Sequence, residues 1–577
     1  MRIARFNENL RRVALTTVLA CAAGAASAAG PVFLNQGSSW TPAARADFYS
    51  RDQGSRLIPY LWARALRTRH GAPFLADGLA RYGYLPNRAN ANGLPVGFMT
   101  GSYAGTRYLA MNCSACHTRQ IAVGNREFRV DGGPALVDFH ALVTDLDAAV
   151  AAVLASHSAF AAFAAKVLGP GAPPAKVAAL RKEVSDYHLR EHMLVTRALP
   201  PRGWGLGRLD AVSMIYNRLV GMDIGPPPSF LIPGNIALAD APVRYPFLWN
   251  AAKQDRTQWP GFSANGDDLL GLARNLGQVY GVFGVFRPSR RDGHVDFLAG
   301  NSAQWKNLER IEHLVRKIGP PRWPWALDAA LAAQGRRIYE RRPEDGGCTE
   351  CHGKRPGALR LIPPSSTWAT PLCDVGTDKA EYAILHRKVK SGVFEGARAP
   401  VGPAVGAEAD TFALLGIGVI GSIFQEAFGV SLFTYGSAET AAVTAKKHKP
   451  AVDELLGTYA VAPPASCGGK AGPIRYESRV LRGIWAAAPY LHNGSVPTLA
   501  DLLRSPRDRP KRFKVGNRYD TVLVGLARNQ SAGAQVRETR GCTEDDLASG
   551  ESRCGHDFGT RLSDAEKKAL LEYLKSI

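Results

Sequence analysis

Cys113-Ser114-Ala115-Cys116-His117 and Cys348-Thr349-Glu350-Cys351-His352 are two copies of the pattern Cys-x-x-Cys-His. In this pattern the two thiols add to the vinyl groups of a haem, and the adjacent imidazole binds the iron from the proximal side. The two copies lie about one domain apart in the chain. We therefore predict two covalently bound c-type haems, haem c, with His117 and His352 as proximal iron ligands and Cys113, Cys116, Cys348 and Cys351 as the attachment points.

Two other uses of paired cysteines are considered. A zinc site built from both Cys-x-x-Cys pairs is the first alternative, but zinc ribbons do not need a histidine directly after each pair. A redox disulfide within each pair is the second, and that motif also carries no repeated histidine. The adjacent histidines favour haem.

The first residues are typical of a secretory signal peptide. A basic start is followed by the apolar stretch from Val13 to Ala23 and by the small-residue cleavage site Ala26-Ser27-Ala28. Arg11-Arg12 leaves the twin-arginine route open, and Cys21 leaves a lipoprotein anchor open. We expect cleavage after Ala28, which makes residues 1–28 a signal peptide and the protein periplasmic or secreted. An exported chain is not expected to bind nucleic acid.

The remaining chain is expected to contain two haem domains, residues 29–325 and 326–577. In the second, an amphipathic helix from Leu327 to Arg341 precedes the haem motif, and a helix from Ser563 to Ile577 ends the chain. Long Gly- and Pro-rich stretches lie between them. The predicted fold class is mainly α, with two cytochrome c-like haem domains, long loop-rich insertions and little β.

Helical patterns also run through the first domain. Ala46 to Leu66 reads as a helix, and two Ala-rich stretches follow near 138–168 and 174–199. The apolar run from Thr411 to Phe424 in the second domain is too short to cross a bilayer. It is interpreted as a buried helix or, alternatively, as the wall of an apolar substrate channel. No transmembrane segment is predicted.

The net charge and the cysteine content limit the surroundings and partners that we expect for this protein. The chain carries a net charge of +21, of which residues 1–28 contribute +3, so the exported part retains +18. Such a charge suits a solvated basic surface, and also anionic membrane surfaces, acidic partners or carboxylate substrates. Outside the signal and the haem motifs, Cys373, Cys467, Cys542 and Cys554 remain. In an oxidising compartment they predict two disulfides, with three possible pairings.

The second axial position of each iron decides between catalysis and electron storage. All six methionines precede residue 223, so the second domain contains no methionine ligand. Its later histidines are His386, His448, His492 and His556. His556, just before the last helix, is preferred as the sixth ligand of the second haem. His492 is the alternative, and it is otherwise expected to bond a haem propionate or backbone, or to lie between the haems.

The first haem has no comparable candidate for a sixth ligand. His140, His157, His188 and His192 lie on predicted helices, where a single histidine is more often a surface or packing residue. The expectation is an open or water-occupied distal face on this iron.

These motifs resemble the bacterial di-haem cytochrome c peroxidase superfamily. The resemblance is carried by the two haem motifs, by PYLHNGSVPTL (489–499) and by GHDFGT (555–560) before the terminal helix. Within the superfamily the chain is most similar to the oxygenase branch of rubber oxygenases and fatty-acid dioxygenases. GLPVGF (93–98), NCSACHTRQ (112–120) and RVDGGPALVD (129–138) are similar to the fatty-acid type.

The resemblance implies that the first haem binds O2 and that the second, held by His352 and His556, tunes it or supplies electrons. It also implies aromatic residues in the distal pocket and between the haems, for which Phe247 to Phe262 is the matching stretch. Trp249 is the predicted inter-haem residue and Phe262 a pocket residue, with His492 as a third site candidate. Ordinary core packing is the alternative for both aromatic residues.

Three functions follow in order of preference. The first is a dioxygenase that uses O2 and acts on the double bond of a long apolar substrate, either an unsaturated fatty acid or a polyisoprenoid. The second is a cytochrome c peroxidase that reduces hydrogen peroxide with electrons from a small electron-carrier protein, for which Asp267 and Asp268 are loosely considered as acid–base groups. The third is a di-haem electron-transfer protein without catalysis.

Overall fold

The computed structural model describes residues 30–361, 363–400, 402–435, 446, 474–531 and 533–577. The predicted signal peptide, His448 and Cys467 lie outside these residues. The described helices are α1 Pro42–Ser50, α2 Tyr60–Ala65, α3 Phe139–Leu154, α4 His157–Leu168, α5 Pro174–Ala198, α6 Ala211–Tyr216, α7 Asp268–Gly281, α8 Trp305–Lys317, α9 Ala329–Tyr339, α10 Thr349–His352, α11 Ala380–Ala383, α12 Thr411–Phe428, α13 Leu499–Leu502, α14 Glu544–Leu547 and α15 Asp564–Ser576.

The strands are short and are distributed along the whole described chain. They are β1 Val32–Phe33, β2 Ile58–Pro59, β3 Phe98–Tyr103, β4 Thr106–Met111, β5 Thr118–Val123, β6 Arg126–Asp131, β7 Arg208–Leu209, β8 Val243–Arg244, β9 Arg256–Thr257, β10 Ser263–Ala264, β11 Ser289–Arg291, β12 His294–Asp296, β13 Pro356–Leu361, β14 Pro364–Trp368, β15 Leu372–Cys373, β16 Lys388–Lys390, β17 Glu408–Asp410, β18 Tyr476–Glu477, β19 Arg512–Val515, β20 Tyr519–Asp520, β21 Gly525–Leu526 and β22 Gln535–Glu538.

The predicted fold class, mainly α with little β, is wrong. The protein is 38% helical and 18% strand, and the strands form many small sheets. Two of these sheets have three strands, in the orders β1-β6-β5 and β2-β4-β3, and the others pair two strands each. Two separate haem domains are not evident either, because one buried apolar cluster joins residues from both sides of position 325, among them Phe128, Trp249, Trp485 and Leu570.

The two hairpins around the first haem motif explain much of this difference. β3 and β4 are joined at Ala104-Gly105, which both have positive φ, 46° and 78°. β5 and β6 are joined at Gly124-Asn125, where Gly124 has φ 59°. Two-residue turns with positive φ match the twist of paired strands, so these dipeptides close hairpins rather than interrupt helices. The haem motif lies between the hairpins.

The predicted helix from Ala46 to Leu66 is two helices, α1 and α2, with extended chain between them. The reason lies in Asn112, the residue before the first haem motif. Its side-chain amide donates to the carbonyl oxygens of Phe48 and Arg51, both at 2.9 Å. These bonds satisfy carbonyls at the end of α1, so the helix has no need to continue.

The Ala-rich stretches form helices as expected. The first is α3 followed by α4, bent by 108° at a short break, and the second is α5. The break is set by Ser156, whose hydroxyl accepts a hydrogen bond from the backbone N–H of Ala159 and so caps α4.

The helices α9 and α15 cross closely in front of the second haem motif. A Cβ at Gly335 would lie only 1.9 Å from the carbonyl oxygen of Ala569, so only glycine permits this approach. α15 begins with a capping box in which Ser563 and Glu566 each accept from the other's backbone N–H. This is the helix pair expected around a cytochrome c haem.

The helix α12 is the centre of another apolar cluster, with α7 and the turn Asn217–Asp223 packed against it. It is long and apolar enough to cross a membrane, but 61% of it is buried inside the fold. Apart from the bent pair α3–α4, the described residues contain no other helix that meets this criterion. Burial agrees with the interpretation of α12 as a core helix.

One of the possible disulfide pairings is present. Cys542 and Cys554 are bonded to each other and close the short loop that contains α14. Cys373 is also disulfide-bonded, and its sulfur accepts a hydrogen bond from the Ser478 hydroxyl at 3.1 Å.

Candidate haem-binding cavities

The first haem motif is held rigidly between the two hairpins. The Asn112 side chain accepts from the backbone N–H of Ser114 at 3.0 Å and caps the turn Cys113–Ala115. Gly97 passes so close that a Cβ there would lie 2.2 Å from the backbone nitrogen of Ala115. Cys113, Cys116 and His117 together line one buried cavity, here called the N-terminal cavity.

The second haem motif lies on the single turn of α10. Cys348, Cys351 and His352 line a separate cavity, here called the C-terminal cavity. Burial raises the pKa of the Cys348 thiol to about 12, and it raises those of Cys113 and Cys116 to about 11 and about 12. These three thiols therefore lie in apolar surroundings that disfavour the charged thiolate.

Both motif histidines are oriented by a backbone carbonyl. His117 Nδ1 is 2.8 Å from the oxygen of Pro246, and His352 Nδ1 is 2.8 Å from the oxygen of Arg479. Each carbonyl accepts the Nδ1 proton, which leaves Nε2 as the free donor atom. Burial lowers the pKa of His117 to about 4 and lowers that of His352 as well, so both rings are neutral, as metal ligation requires.

His556 lies opposite His352 in the C-terminal cavity. The two ring centroids are 6.2 Å apart, and His556 Nδ1 is buried without a hydrogen-bond partner among the described residues. Two imidazoles that share one metal at about 2 Å from each nitrogen would have centroids roughly 6.3 Å apart, so the spacing fits an ion between them. Burial, followed by the proximity of His352, lowers the pKa of His556 to about 3.

The loop that carries His556 is fixed in an unusual conformation. His556 has φ 52°, and its backbone N–H donates to the oxygen of Val375 at 2.8 Å. The Arg509 guanidinium donates to the carbonyl oxygens of Arg553, Gly555 and His556. A left-handed histidine held from both sides keeps its ring aimed into the cavity.

His492 also borders the C-terminal cavity but is engaged elsewhere. Its ring stacks on Tyr476 with centroids 3.9 Å apart, and its carbonyl accepts from the backbone N–H of Arg244 at 2.8 Å. Burial lowers the pKa of His492 to about 3, with the Arg244 charge as a further cause. Among the described residues, the structure therefore places the ring of His556, rather than that of His492, across the cavity from His352, with the two ring planes tilted by 42°.

A shared wall separates the two cavities. Five residues line both of them: Arg244, Phe247, Trp259, Glu477 and Arg479. The Arg479 guanidinium stacks over the Phe247 ring at 4.0 Å, and Arg244 stacks over Trp259 at 4.7 Å. Phe247 directly follows Pro246, whose carbonyl positions His117, and the carbonyl of Arg479 positions His352. The stacked Phe247–Arg479 pair therefore links the two motif histidines.

Trp249, the predicted inter-haem residue, lies one layer behind this wall. It is fully buried, stacks on Phe247 with centroids 4.7 Å apart, and donates from Nε1 to the oxygen of Arg482 at 2.8 Å. It does not border either cavity, whereas Phe247 borders both. The aromatic segment was thus predicted at the right place, and the residue between the cavities is its neighbour.

Phe262 lines a smaller cavity next to the N-terminal one. This adjoining cavity also contains Leu415 and Val419 of α12, and Phe262 packs edge-to-face on Phe412, with centroids 5.6 Å apart. Four residues line both the adjoining and the N-terminal cavities: Ile215, Gln258, Arg274 and Gln278. The buried helix α12 therefore also forms a wall of this cavity.

The N-terminal cavity has a different lining from its counterpart. Among the described residues, His117 is the only histidine on its wall, while Phe139, Met214, Ile215 and Val282 give it apolar surface. Met111 and Met214 are the thioethers there. Asp267 and Asp268 do not border the cavity; Asp267 caps α7, and Asp268 pairs with Arg316 at 2.5 Å.

Two carboxyl groups on the N-terminal cavity have strongly perturbed acidity. Burial, with the charges of Asp210 and Glu477 as further causes, raises the pKa of Glu381 well above its ordinary range. Burial also raises the pKa of Glu477, against the opposing charge of Arg479. Glu381 Oε2 has no hydrogen-bond partner among the described residues, so it is a buried neutral acid that faces the cavity.

The residues present fit two haem groups. Each cavity combines two thiols and an oriented neutral imidazole with a mostly apolar wall, and Arg479 Nη1 is buried without a partner between the two cavities. An orphaned guanidinium nitrogen at this position suits a haem propionate. His117 and His352 would hold the iron atoms, and His556 stays a predicted second ligand of the C-terminal one.

Several residues of the site carried no clear signal in the sequence. Arg479 and Glu381 belong to no motif, and they reach the cavities only through the fold. Phe247 and Trp259 were within the predicted aromatic stretch but were not distinguished from Trp249 and Phe262. Only the spatial overlap of the two cavities selects them.

Residues 475–514 match a family model described as RoxA-like, cytochrome c-like. The matched segment contributes Arg479, Leu491 and His492 to the C-terminal cavity. This match supports a relationship to RoxA-like cytochromes c and indicates a haem c oxidoreductase of an exported type. The oxygenase branch is not distinguished by it.

Two curated relatives come from Sinorhizobium fredii (strain NBRC 101917 / NGR234). "Uncharacterized protein y4iJ" is 27% identical over 606 residues, which cover 93% of this chain and 92% of the relative. "Uncharacterized protein y4iM" is 25% identical over 351 residues, which cover 57% of this chain and 63% of the relative. The first alignment extends over nearly the whole of both chains.

Proposed function

We propose that this protein is a di-haem c-type dioxygenase that acts on an unsaturated, long-chain apolar substrate at the N-terminal cavity. One observation carries the proposal. The C-terminal cavity presents two opposed imidazoles, His352 and His556, while His117 is the only histidine on the described wall of the N-terminal cavity. An iron held on one side only keeps a position for an external ligand.

The cavity that adjoins the N-terminal cavity offers apolar surface for a substrate. It is lined by Leu415 and Val419 and shares Ile215, Gln258 and Gln278 with the N-terminal cavity. An apolar chain in these cavities would displace water from buried surface, which favours binding and keeps reactive oxygen species away from solvent. A fatty acid and a polyisoprenoid both satisfy this requirement.

When bound, the haem would supply ferrous iron that binds O2 and transfers oxygen to a carbon–carbon double bond. The chain's own contribution is to orient and enclose. His117 is held by the Pro246 carbonyl, and Arg274, which lines the N-terminal and the adjoining cavities, is fixed by Glu312 and Asn265.

The C-terminal cavity is proposed to have an electronic role. His352 and His556 would both hold the iron of a C-terminal haem, which would leave no position for substrate there and would favour a low reduction potential relative to histidine–methionine ligation. Phe247 and Arg479 fill the wall between the two cavities, so they are placed to pass electrons or to tune the N-terminal site.

The test is direct. The purified holoprotein is incubated with oleate or polyisoprene under ¹⁸O2, without added reductant, and oxygen uptake and product labelling are followed. We expect consumption of O2 and incorporation of both oxygen atoms, with the saturated analogue stearate as the inactive control. Absence of labelled product from both unsaturated substrates would contradict the proposal.

A second candidate, reduction of hydrogen peroxide, is favoured by Glu381. A buried neutral carboxylic acid on the N-terminal cavity is suited to donate a proton to a departing oxygen. If this is the activity, Glu381→Gln lowers peroxide turnover with a reduced small cytochrome by roughly 10²–10⁴-fold. Glu426→Gln, outside both cavities, is the matched control. Rapid peroxide turnover combined with no ¹⁸O-labelled product would select this function over the dioxygenase.

A further inference from the structure

Three side chains far from the haem motifs in sequence form a cluster on two packed helices. Asp147 belongs to α3, and His188 and His192 lie four residues apart on α5. Residues at i and i+4 share one face of a helix, and here that face meets α3. The two imidazole rings stack with centroids 4.9 Å apart, and both reach the same carboxylate.

The ligand atoms of this cluster converge. His192 Nδ1 is 2.9 Å from Asp147 Oδ2, and His188 Nε2 is 3.5 Å from Asp147 Oδ1. One nitrogen of each histidine and one carboxylate oxygen all lie within 4.8 Å of one another. A tetrahedral ion with bonds of about 2.0–2.1 Å needs donor atoms roughly 3.3 Å apart. The two histidine–carboxylate contacts lie near this spacing, and the two histidine nitrogens, within 4.8 Å of each other, would move closer when the ion binds.

The buried end of the cluster is incompletely satisfied. Asp147 is only 9% exposed, and its Oδ1 and the facing His188 Nε2 both lack a hydrogen-bond partner among the described residues. Two buried polar atoms that face each other without bonding have a cost, unless a third group joins them. A cation coordinated by both would remove this cost.

We propose that Asp147, His188 and His192 bind one divalent transition metal ion of the zinc class. Two imidazoles and one carboxylate are a ligand set that zinc accepts, and His192, which is half exposed, leaves the fourth position open to water. The helical pair with three intervening residues is the spacing used by metal-binding histidines on a single helix.

The site would brace the N-terminal cavity from outside. α3 begins at Phe139, which lines that cavity, and Asp147 lies two turns further along the same helix. A metal that joins α3 to α5 would therefore hold the helix on which this part of the cavity wall depends. The proposal needs neither haem and is independent of the proposed reaction.

The experiment uses the haem-loaded full chain. Bound metals are removed with a chelator, Zn²⁺ alone is added back, and zinc per protein is measured by elemental analysis beside an equilibrium titration. We expect one zinc ion per chain, with at least tenfold weaker binding in Asp147→Asn and in His192→Ala. His157→Ala, an exposed histidine on α4, is the matched control and should bind as the unaltered protein does.

A spectroscopic readout separates a true site from a folding defect. The zinc X-ray absorption edge should show nitrogen and oxygen neighbours, and the haem absorbance should be the same in all variants, because no haem ligand is altered. His192 is half exposed, so its replacement leaves the core intact. Failure to bind stoichiometric zinc, or equal zinc binding by Asp147→Asn, His192→Ala and the control, would overturn the proposal and leave a pair of carboxylate–histidine contacts.

Discussion

The N-terminal and C-terminal cavities are built from the same motif and differ in what faces the motif histidine. In both, a backbone carbonyl at 2.8 Å fixes the ring through Nδ1. In the C-terminal cavity a second imidazole, His556, lies across from the first, while the N-terminal cavity shares part of its wall with an adjoining cavity beside α12. The repeated motif thus predicts the same cofactor in both cavities. The residues around each motif determine what faces the motif histidine and therefore which role each site can have.

The largest expected effect comes from removing either pair of cysteines. Cys113→Ser with Cys116→Ser should lower haem content from two per chain to one and abolish carbon monoxide binding by the reduced protein. Cys348→Ser with Cys351→Ser should also leave one haem, but should keep carbon monoxide binding. Haem is counted from the alkaline pyridine spectrum. Equal loss of carbon monoxide binding in both double variants would break the comparison.

Replacing the opposed imidazole should make the two sites alike. His556→Ala removes the predicted sixth ligand, so the reduced protein is expected to bind two carbon monoxide molecules per chain instead of one. His492→Ala is the control, because that ring stacks on Tyr476 and should leave the stoichiometry at one. If His492→Ala raises the stoichiometry instead, the ligand assignment is reversed. If the unaltered protein binds none, Met111 or Met214 is a candidate to close the N-terminal site.

One added methyl group should strongly destabilise the crossing of α9 and α15 near the second haem motif. Gly335→Ala places a Cβ against the Ala569 carbonyl oxygen, and forcing the helices apart is expected to lower the free energy of unfolding by about 1–3 kcal/mol. Gly234→Ala, with nothing within 4 Å of its Cβ, is the matched control. Thermal unfolding measures both. We expect the C-terminal haem spectrum to change first in Gly335→Ala, and an unchanged Tm would contradict the close packing.

A further prediction concerns the dependence of stability on pH. Burial raises the pKa of Asp210, the residue that caps α6 beside the N-terminal cavity, to about 7. In the unfolded chain this carboxyl has a pKa near 3.9, so the folded protein binds the extra proton between these values. Stability should therefore fall as pH rises from about 4 to about 7 and level off above that.

Asp210→Asn removes this ionisation and should flatten that part of the stability profile, as measured by chemical denaturation at pH 5 and pH 7. Asn still caps a helix, so the fold is retained. An identical pH dependence in the variant and the unaltered protein would show that Asp210 does not titrate in this range.

Much of the chemistry was predictable from the sequence, while most of the architecture was not. The haem motifs, α15 with its capping box and the α3–α5 region follow from local patterns that fix a helix or a ligand within a few residues. The hairpins on either side of Cys113–His117 were missed, although Ala104-Gly105 and Gly124-Asn125 are turn dipeptides. Neighbouring Gly and Pro signals were interpreted as loops because a cytochrome c fold was expected there.

The arrangement of the cavities could not be predicted from the sequence and follows only from the three-dimensional structure. Phe247 and Arg479 lie more than two hundred residues apart, and no periodicity connects them. Trp249 was selected instead because the aromatic stretch alone does not show which ring faces which side. Likewise His188 and His192 have helical spacing in the sequence, but only the packing of α5 on α3 places Asp147 beside them.

The Phe247–Arg479 pair has a consequence for how the two centres titrate with electrons. The carbonyls that position the two proximal rings belong to Pro246 and Arg479, and the stacked pair holds those carbonyls in one unit. If each cavity holds a haem, as proposed, a substitution at Phe247 is expected to loosen both rings together and to shift both midpoint potentials in a single step. The two redox couples would then depend on one contact rather than being set separately.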